Sequence, residues 1–254
     1  MSWTDAVRTV GEGDHGVICL HGWFGSGEGW GYLPEVVDTA RFTYYFPDLR
    51  GYGRRRDETG DHTMWEFASD ALELADAKGL ERFSVVGHSM GGKAAAAVLA
   101  QAPDRVRAVV GIAPVGPGPV PLDEDGTELF YGAPQDEQKR RAIIDFTTGN
   151  RHGDAWLDRM VRDNVATCTV EAYTAAGKSW IEDDYTEKLG RPETPVLLIT
   201  GQHDPALSSA TMQQTWVPAL PNVTVTELPA CGHYPMHEAP VALADEMERF
   251  LARH

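Results

Sequence analysis

The chain has little that would tie it to nucleic acid, to a membrane or to a disulfide framework. Lysine and arginine number 22 against 38 aspartates and glutamates, and the formal net charge of −16 would repel a polyanionic backbone. Its one basic cluster, Arg54-Arg55-Arg56, runs straight into Asp57 and Glu58, the pattern of a solvated, self-neutralised loop. Cysteine is scarce. Cys19, Cys168 and Cys231 are an odd number at wide spacing, which supports neither disulfide pairing nor a zinc site and fits a reducing compartment. No window approaches the roughly 18 apolar residues of a membrane helix. The opening MSWTDAVRTVGEGDHG has neither a basic n-region nor an apolar h-region, so an unprocessed cytoplasmic protein is expected.

What is present is a supply of short apolar runs. With 42% hydrophobic residues in 254, the chain can bury one large α/β domain carrying an insertion. VICL (17–20), FTYYF (42–46), FSVVG (83–87), VRAVVGIA (106–113), PVLLIT (195–200) and VTVTEL (223–228) read as strands. Most are continuous rather than alternating, as in a parallel sheet covered on both faces. Helical patterns fall between them at 27–38, 63–79 and 89–102, and a closing helix is expected from Val241 to Ala252. Strand alternating with helix predicts a doubly wound, mostly parallel α/β sheet. Residues 116–191 break that alternation: a Gly/Pro-rich linker leads into three helical patterns with no strand. Such a stretch cannot join the sheet, so 1–115 and 192–254 are expected to form the core and 116–191 a helical cap.

The segment VVGHSMGGKA (85–94) can be read as two unrelated chemistries. As G-x-x-x-x-G-K it approaches a phosphate-binding loop, but Ala94 stands where that loop needs a hydroxyl for Mg²⁺, and the next strand ends in Pro114 rather than an acid. As G-x-S-x-G it places Ser89 on a tight turn between a buried strand and an Ala-rich helix, the context of a serine nucleophile. Lys93 is then expected as a charge on the helix surface.

A serine nucleophile needs a base, an acid to orient it and two N–H donors for the oxyanion. Asp204 follows the apolar run PVLLIT across a Gly turn, whereas its rivals Asp183 and Asp184 follow no strand. His233 lies in a Gly-preceded loop between the last strand and the closing helix; His237 is its competitor. The order Ser89, Asp204, His233 is that of one known hydrolase fold. HGWFGSG after the first strand has to pass beneath the nucleophile, so the backbone N–H groups of Trp23 and Met90 are the expected oxyanion donors.

Taken together, HGWFGSG, PDLRGYG, VVGHSMGGKAA, TGQHDP and CGHYPMHEAP resemble the α/β-hydrolase superfamily, in particular its small serine esterases and the cofactor-free haloperoxidase-like group. The resemblance spans nearly the whole chain outside the cap. It implies a hydrolase using Ser89, Asp204 and His233 on a small acyl ester and water, with no metal or organic cofactor. Two positions depart from the family pattern: Arg55, where a serine often follows GYGR, and Gly111, where one subgroup has Asp before IAP. Thioesters, lactones, carbon–carbon bond hydrolysis and perhydrolysis are alternatives on the same triad, and a non-enzymatic ligand-binding protein is an alternative of another class. Phe24, Trp156 and Trp180 are the residues expected to face the substrate, with most other cap aromatics packing among themselves.

Overall fold

A computed structural model describes residues 2–254. Its strands are β1 (Arg8–Val10), β2 (His15–Leu20), β3 (Phe42–Phe46), β4 (Phe83–His88), β5 (Val106–Ile112), β6 (Val196–Gly201) and β7 (Val223–Leu228). Its α-helices are α1 (Leu33–Val36), α2 (Met64–Ala77), α3 (Met90–Gln101), α4 (Glu124–Gly132), α5 (Glu137–Thr147), α6 (Asp154–Thr167), α7 (Val170–Glu182), α8 (Ser209–Ala219), α9 (Pro235–Glu238) and α10 (Pro240–Leu251). The strands form one sheet in the order β1-β3-β2-β4-β5-β6-β7, parallel throughout except for β1.

Continuous apolar strands are explained by cover on both faces. Ile18, Leu20, Val85, Val109 and Leu198 pack on one side against α2 and α3; Val17, Cys19, Val86, Val110 and Leu197 pack on the other against α10. Each fully buried aliphatic side chain contributes about 1.5–3 kcal/mol. The run Ala94–Ala97 is fully buried, because α3 is wedged between the sheet and α2 where only small side chains fit.

Chain order reverses between β2 and β4. β2 is followed outward by β3, whereas β4 lies on its other side. A crevice opens beyond the C-terminal ends of the strands at such a switch point, and it is where ligands bind in open α/β sheets. The loops after β2 and β4 therefore flank the place where a site is expected.

The structure differs from the sequence pattern in five places. The helix expected over 27–38 is reduced to Leu33–Val36, because Gly31 takes a left-handed φ of 54° with its Cα against Met236 O, where a Cβ would come within 2.4 Å. β1 is a three-residue antiparallel edge strand, too short to show a pattern. α4 starts inside the presumed linker, capped by Asp123 on the Gly126 N–H at 2.8 Å, and α8 precedes β7. Arg55 is buried instead of solvated: it pairs with Asp70 at 2.8 Å and Glu58 at 2.7 Å, and its guanidinium lies 3.9 Å from the Trp3 ring centroid. Residues 116–191 hold α4 to α7 and add no strand to the sheet. Among the described residues no helix is long and apolar enough to cross a membrane.

Candidate active site

Ser89 sits at the end of β4 with φ 53° and ψ −118°, a conformation an L-residue adopts only when its surroundings hold it there. They do so through the backbone: its N–H donates to Ile112 O at 3.0 Å, and its carbonyl accepts from Gly92 at 2.8 Å and Val115 at 2.9 Å. Glycine at 91 is a packing requirement, since a Cβ there would lie 2.1 Å from Leu20 O. The strained turn lifts the Ser89 hydroxyl off the helix start and into a cavity of about 590 Å³.

His233, in the loop after β7, lines the same cavity. Its Nδ1 is 2.6 Å from Asp204 Oδ2, which leaves Nε2 as the free ring nitrogen. Asp204, in the loop after β6, is buried, and its other oxygen accepts the N–H groups of Ala206 (2.9 Å) and Leu207 (3.0 Å). This fixes the carboxylate before it meets the imidazole. Of the rival acids, Asp183 is engaged by the Ser179 and Tyr185 hydroxyls. Asp184 is held below the usual carboxylate range by its bonds from Thr186. His237 lines a different cavity.

Two residues that hold the His233 loop were given no such role from sequence. His88 Nε2 is 2.8 Å from the His233 carbonyl, and since burial pushes the His88 pKa well down, its ring is neutral and Nε2–H is the donor. Glu238, with a side chain only 3% exposed, accepts the N–H of Gly232 on one oxygen (2.9 Å) and the N–H of Tyr234 on the other (3.1 Å). One carboxylate thus grips the backbone on both sides of His233. Arg151, between α5 and α6, completes the clamp at 3.0 Å from Glu238 and 2.8 Å from Ala230 O. The signal in the sequence was a glutamate one turn past the histidine, at the end of HYPMHE.

The loop after β2 lies directly against Ser89. A Cβ on Gly22 would stand 3.1 Å from Ser89 Cβ and 2.8 Å from His88 Nδ1. His21 anchors this loop: its Nε2 accepts the Leu49 N–H at 3.1 Å, so Nδ1–H donates to Gly22 O at 2.9 Å. That is a neutral imidazole, in keeping with the lowering of its pKa by burial. The Trp23 indole is drawn away to Tyr173, stacking at 4.0 Å and donating to its carbonyl at 2.8 Å. Met90 opens α3, so its N–H has no intrahelical acceptor.

Phe24 and Trp180 line the Ser89 cavity, but Trp156 does not. It stacks on His152 at 4.0 Å and lines a second cavity of about 550 Å³, separated from the first by Phe24 and Tyr234, which border both. The rest of the Ser89 cavity is walled by residues such as Val120, Leu122, Phe130, Ile143 and Leu207, and no Lys, Arg, Asp or Glu lines it. Lys93, expected on the helix surface, is fully buried and donates to the carbonyls of Gly118 and Trp180. Among the described residues no group of three or more His, Cys, Asp or Glu is placed to hold a metal ion.

Comparison with known proteins agrees with this fold. A family model described as alpha/beta hydrolase fold matches residues 17–240. The pimeloyl-[acyl-carrier protein] methyl ester esterase of Nitrosomonas europaea is 29% identical over 251 residues, covering 92% of this chain and 94% of that protein. The dihydrolipoyllysine-residue acetyltransferase component of the acetoin cleaving system of Cupriavidus necator is 27% identical over 251 residues; the match takes in 96% of this chain but spans only 64% of that longer protein. Among solved structures, a hydrolase from Oleispira antarctica superposes with a TM-score of 0.84 at 21% identity, covering 98% of this chain and 95% of the other.

Proposed function

This chain belongs to the alpha/beta hydrolase fold family, and from that premise we propose that it is a serine hydrolase of neutral carboxylic esters, working through an acyl-enzyme on Ser89. The observation that carries the reading is the shared cavity: Ser89 and His233 line one wall system, and His233 is locked to the buried Asp204 at 2.6 Å. Ser89 Oγ attacks the ester carbonyl while His233 Nε2 takes its proton. Asp204 holds the imidazole in the tautomer with Nδ1–H and stabilises the imidazolium that forms. The N–H groups of Trp23 and Met90 receive the developing oxyanion. His233 then protonates the leaving alcohol and activates water for deacylation.

Uncharged walls favour a neutral acyl group over a dicarboxylate, because a buried carboxylate would find no cation among the lining residues. That weighs against carbon–carbon hydrolysis of anionic substrates on the same triad. The inserted helices of 116–191 act as the cap of this cavity, with Phe130, Ile143 and Trp180 as its contribution to the acyl pocket. A fluorophosphonate probe should label the wild-type protein once, at Ser89, and Ser89→Ala should abolish both labelling and p-nitrophenyl ester hydrolysis. Hydrolysis that survives in Ser89→Ala would refute the assignment.

A further inference from the structure

Lys93 is an anomaly in a helix otherwise built of small residues. It lies one turn after Ser89 on α3 and is completely buried. Its ammonium donates to Gly118 O at 2.8 Å and to Trp180 O at 2.9 Å. These two carbonyls belong to the two ends of the insertion: Gly118 is in the entry segment before α4, and Trp180 in the last turn of α7. The two ends are also zipped to each other, Val120 N–H to Ile181 O at 2.8 Å and Tyr185 N–H to Pro117 O at 2.9 Å.

The chemistry of the contact is specific. The Trp180 carbonyl is one of the last four of α7, which have no intrahelical donor and carry the negative end of the helix dipole. An ammonium is the complementary group, and charge-assisted hydrogen bonds are roughly twice as strong as neutral ones. Gly118 and Trp180 both line the Ser89 cavity. We infer that Lys93 is a positioning residue that pins both ends of the inserted helices to the nucleophile helix and so fixes the distal acyl wall, setting the preference for long over short acyl chains. This rests on the proposed role of Ser89.

A short acyl group reaches only the oxyanion loop, which Lys93 does not touch, whereas a long one has to pack on the wall that Lys93 holds. The inference therefore concerns a ratio of rates. The charged groups near the ammonium are Asp183 and Asp184 at the insertion's exit, with the Tyr185 ring centroid at 5.9 Å. Burial lowers the Lys93 pKa to about 8 against the pull of those two carboxylates. Burial raises that of Tyr185, and the Thr186 bonds lower that of Asp184.

The test compares labelling rates of Ser89 by ethyl and octyl fluorophosphonates. In Lys93→Met, which keeps most of the length of the side chain and loses its donors, the octyl-to-ethyl ratio should fall about tenfold while the ethyl rate stays within about threefold. A lower melting temperature with an unchanged ratio would mean a merely structural lysine and overturn the inference. Should Lys93→Met not fold, the wild-type ratio is followed from about pH 7 to about 9.5, where any pH effect common to both probes cancels in the ratio. It should decline as the ammonium loses its proton; a flat ratio overturns the inference. Absence of any labelling of the wild type at Ser89 is a different result, and it refutes the underlying hydrolase reading.

Discussion

Replacing Glu238 by glutamine tests whether the His233 loop is held as described. The substitution keeps size and shape and changes only charge and hydrogen-bonding capacity. Glu238 accepts from Gly232 and Tyr234 on separate oxygens and also faces Arg151 at 3.0 Å. Glutamine has one acceptor oxygen, so one of the two backbone N–H groups would face an amide NH₂ and lose its partner. An unsatisfied buried N–H costs about 1–3 kcal/mol, and loss of the Arg151 interaction, part-exposed on the arginine side, adds up to about 1 kcal/mol. The sum, about 1–4 kcal/mol, corresponds to a fall in Tm of roughly 2–16 °C for a chain of this size. Catalysis should suffer separately. A displacement of about 1 Å in a reacting group can cost about 10²-fold in rate, and both neighbours of His233 would be loosened. The expected result in steady-state hydrolysis of a p-nitrophenyl ester is a kcat lowered about 10²-fold at nearly constant KM, because Glu238 does not line the Ser89 cavity. A Glu238→Gln protein with wild-type Tm and kcat would refute the idea that this carboxylate positions His233.

Within the proposed triad, Asp204→Asn should lower kcat about 10⁴-fold with little change in melting temperature, since it upsets the His233 tautomer and leaves the cavity intact; retention of near-full rate would move the acid elsewhere. Trp180→Ala should raise KM for long-chain esters about 5- to 30-fold, the cost of an apolar contact of about 1–2 kcal/mol, whereas Trp156→Ala, opening the other cavity, should leave ester kinetics unchanged. A matching effect of the two substitutions would mean that the cavities act as one. Lys93 also makes a prediction about stability. Its pKa falls from 10.5 unfolded to about 8 folded, so between those values the unfolded chain binds more protons and stability rises with pH. Chemical denaturation at about pH 8 and about pH 10 should show a favourable contribution of up to about 3 kcal/mol from this residue, absent in Lys93→Met. Equal pH slopes in the two proteins would exclude a buried ammonium.

The parts of this molecule written locally were legible in the sequence. Strands buried on both faces read as continuous apolar runs because no position along them meets water. The turn at Ser89 was visible because it needs a strand, small residues and a helix within ten positions. Asp204 and His233 could be found because loops after parallel strands all emerge at the same sheet edge, whatever the distance along the chain. What the tertiary structure decided was the partner of each polar side chain. Arg55 and Lys93 looked like surface charges, and both are buried, because their partners Asp70, Gly118 and Trp180 arrive from elements 15 to 87 residues away. Glu238 looked like an ordinary helix residue until the turn at Tyr234 folded it back on the N–H groups beside His233. Trp156 and Trp180 are equivalent as letters in amphipathic helices. Which of them meets Ser89 depends on how the inserted helices settle on the sheet, and periodicity tells which face of a helix is apolar but not what that face covers.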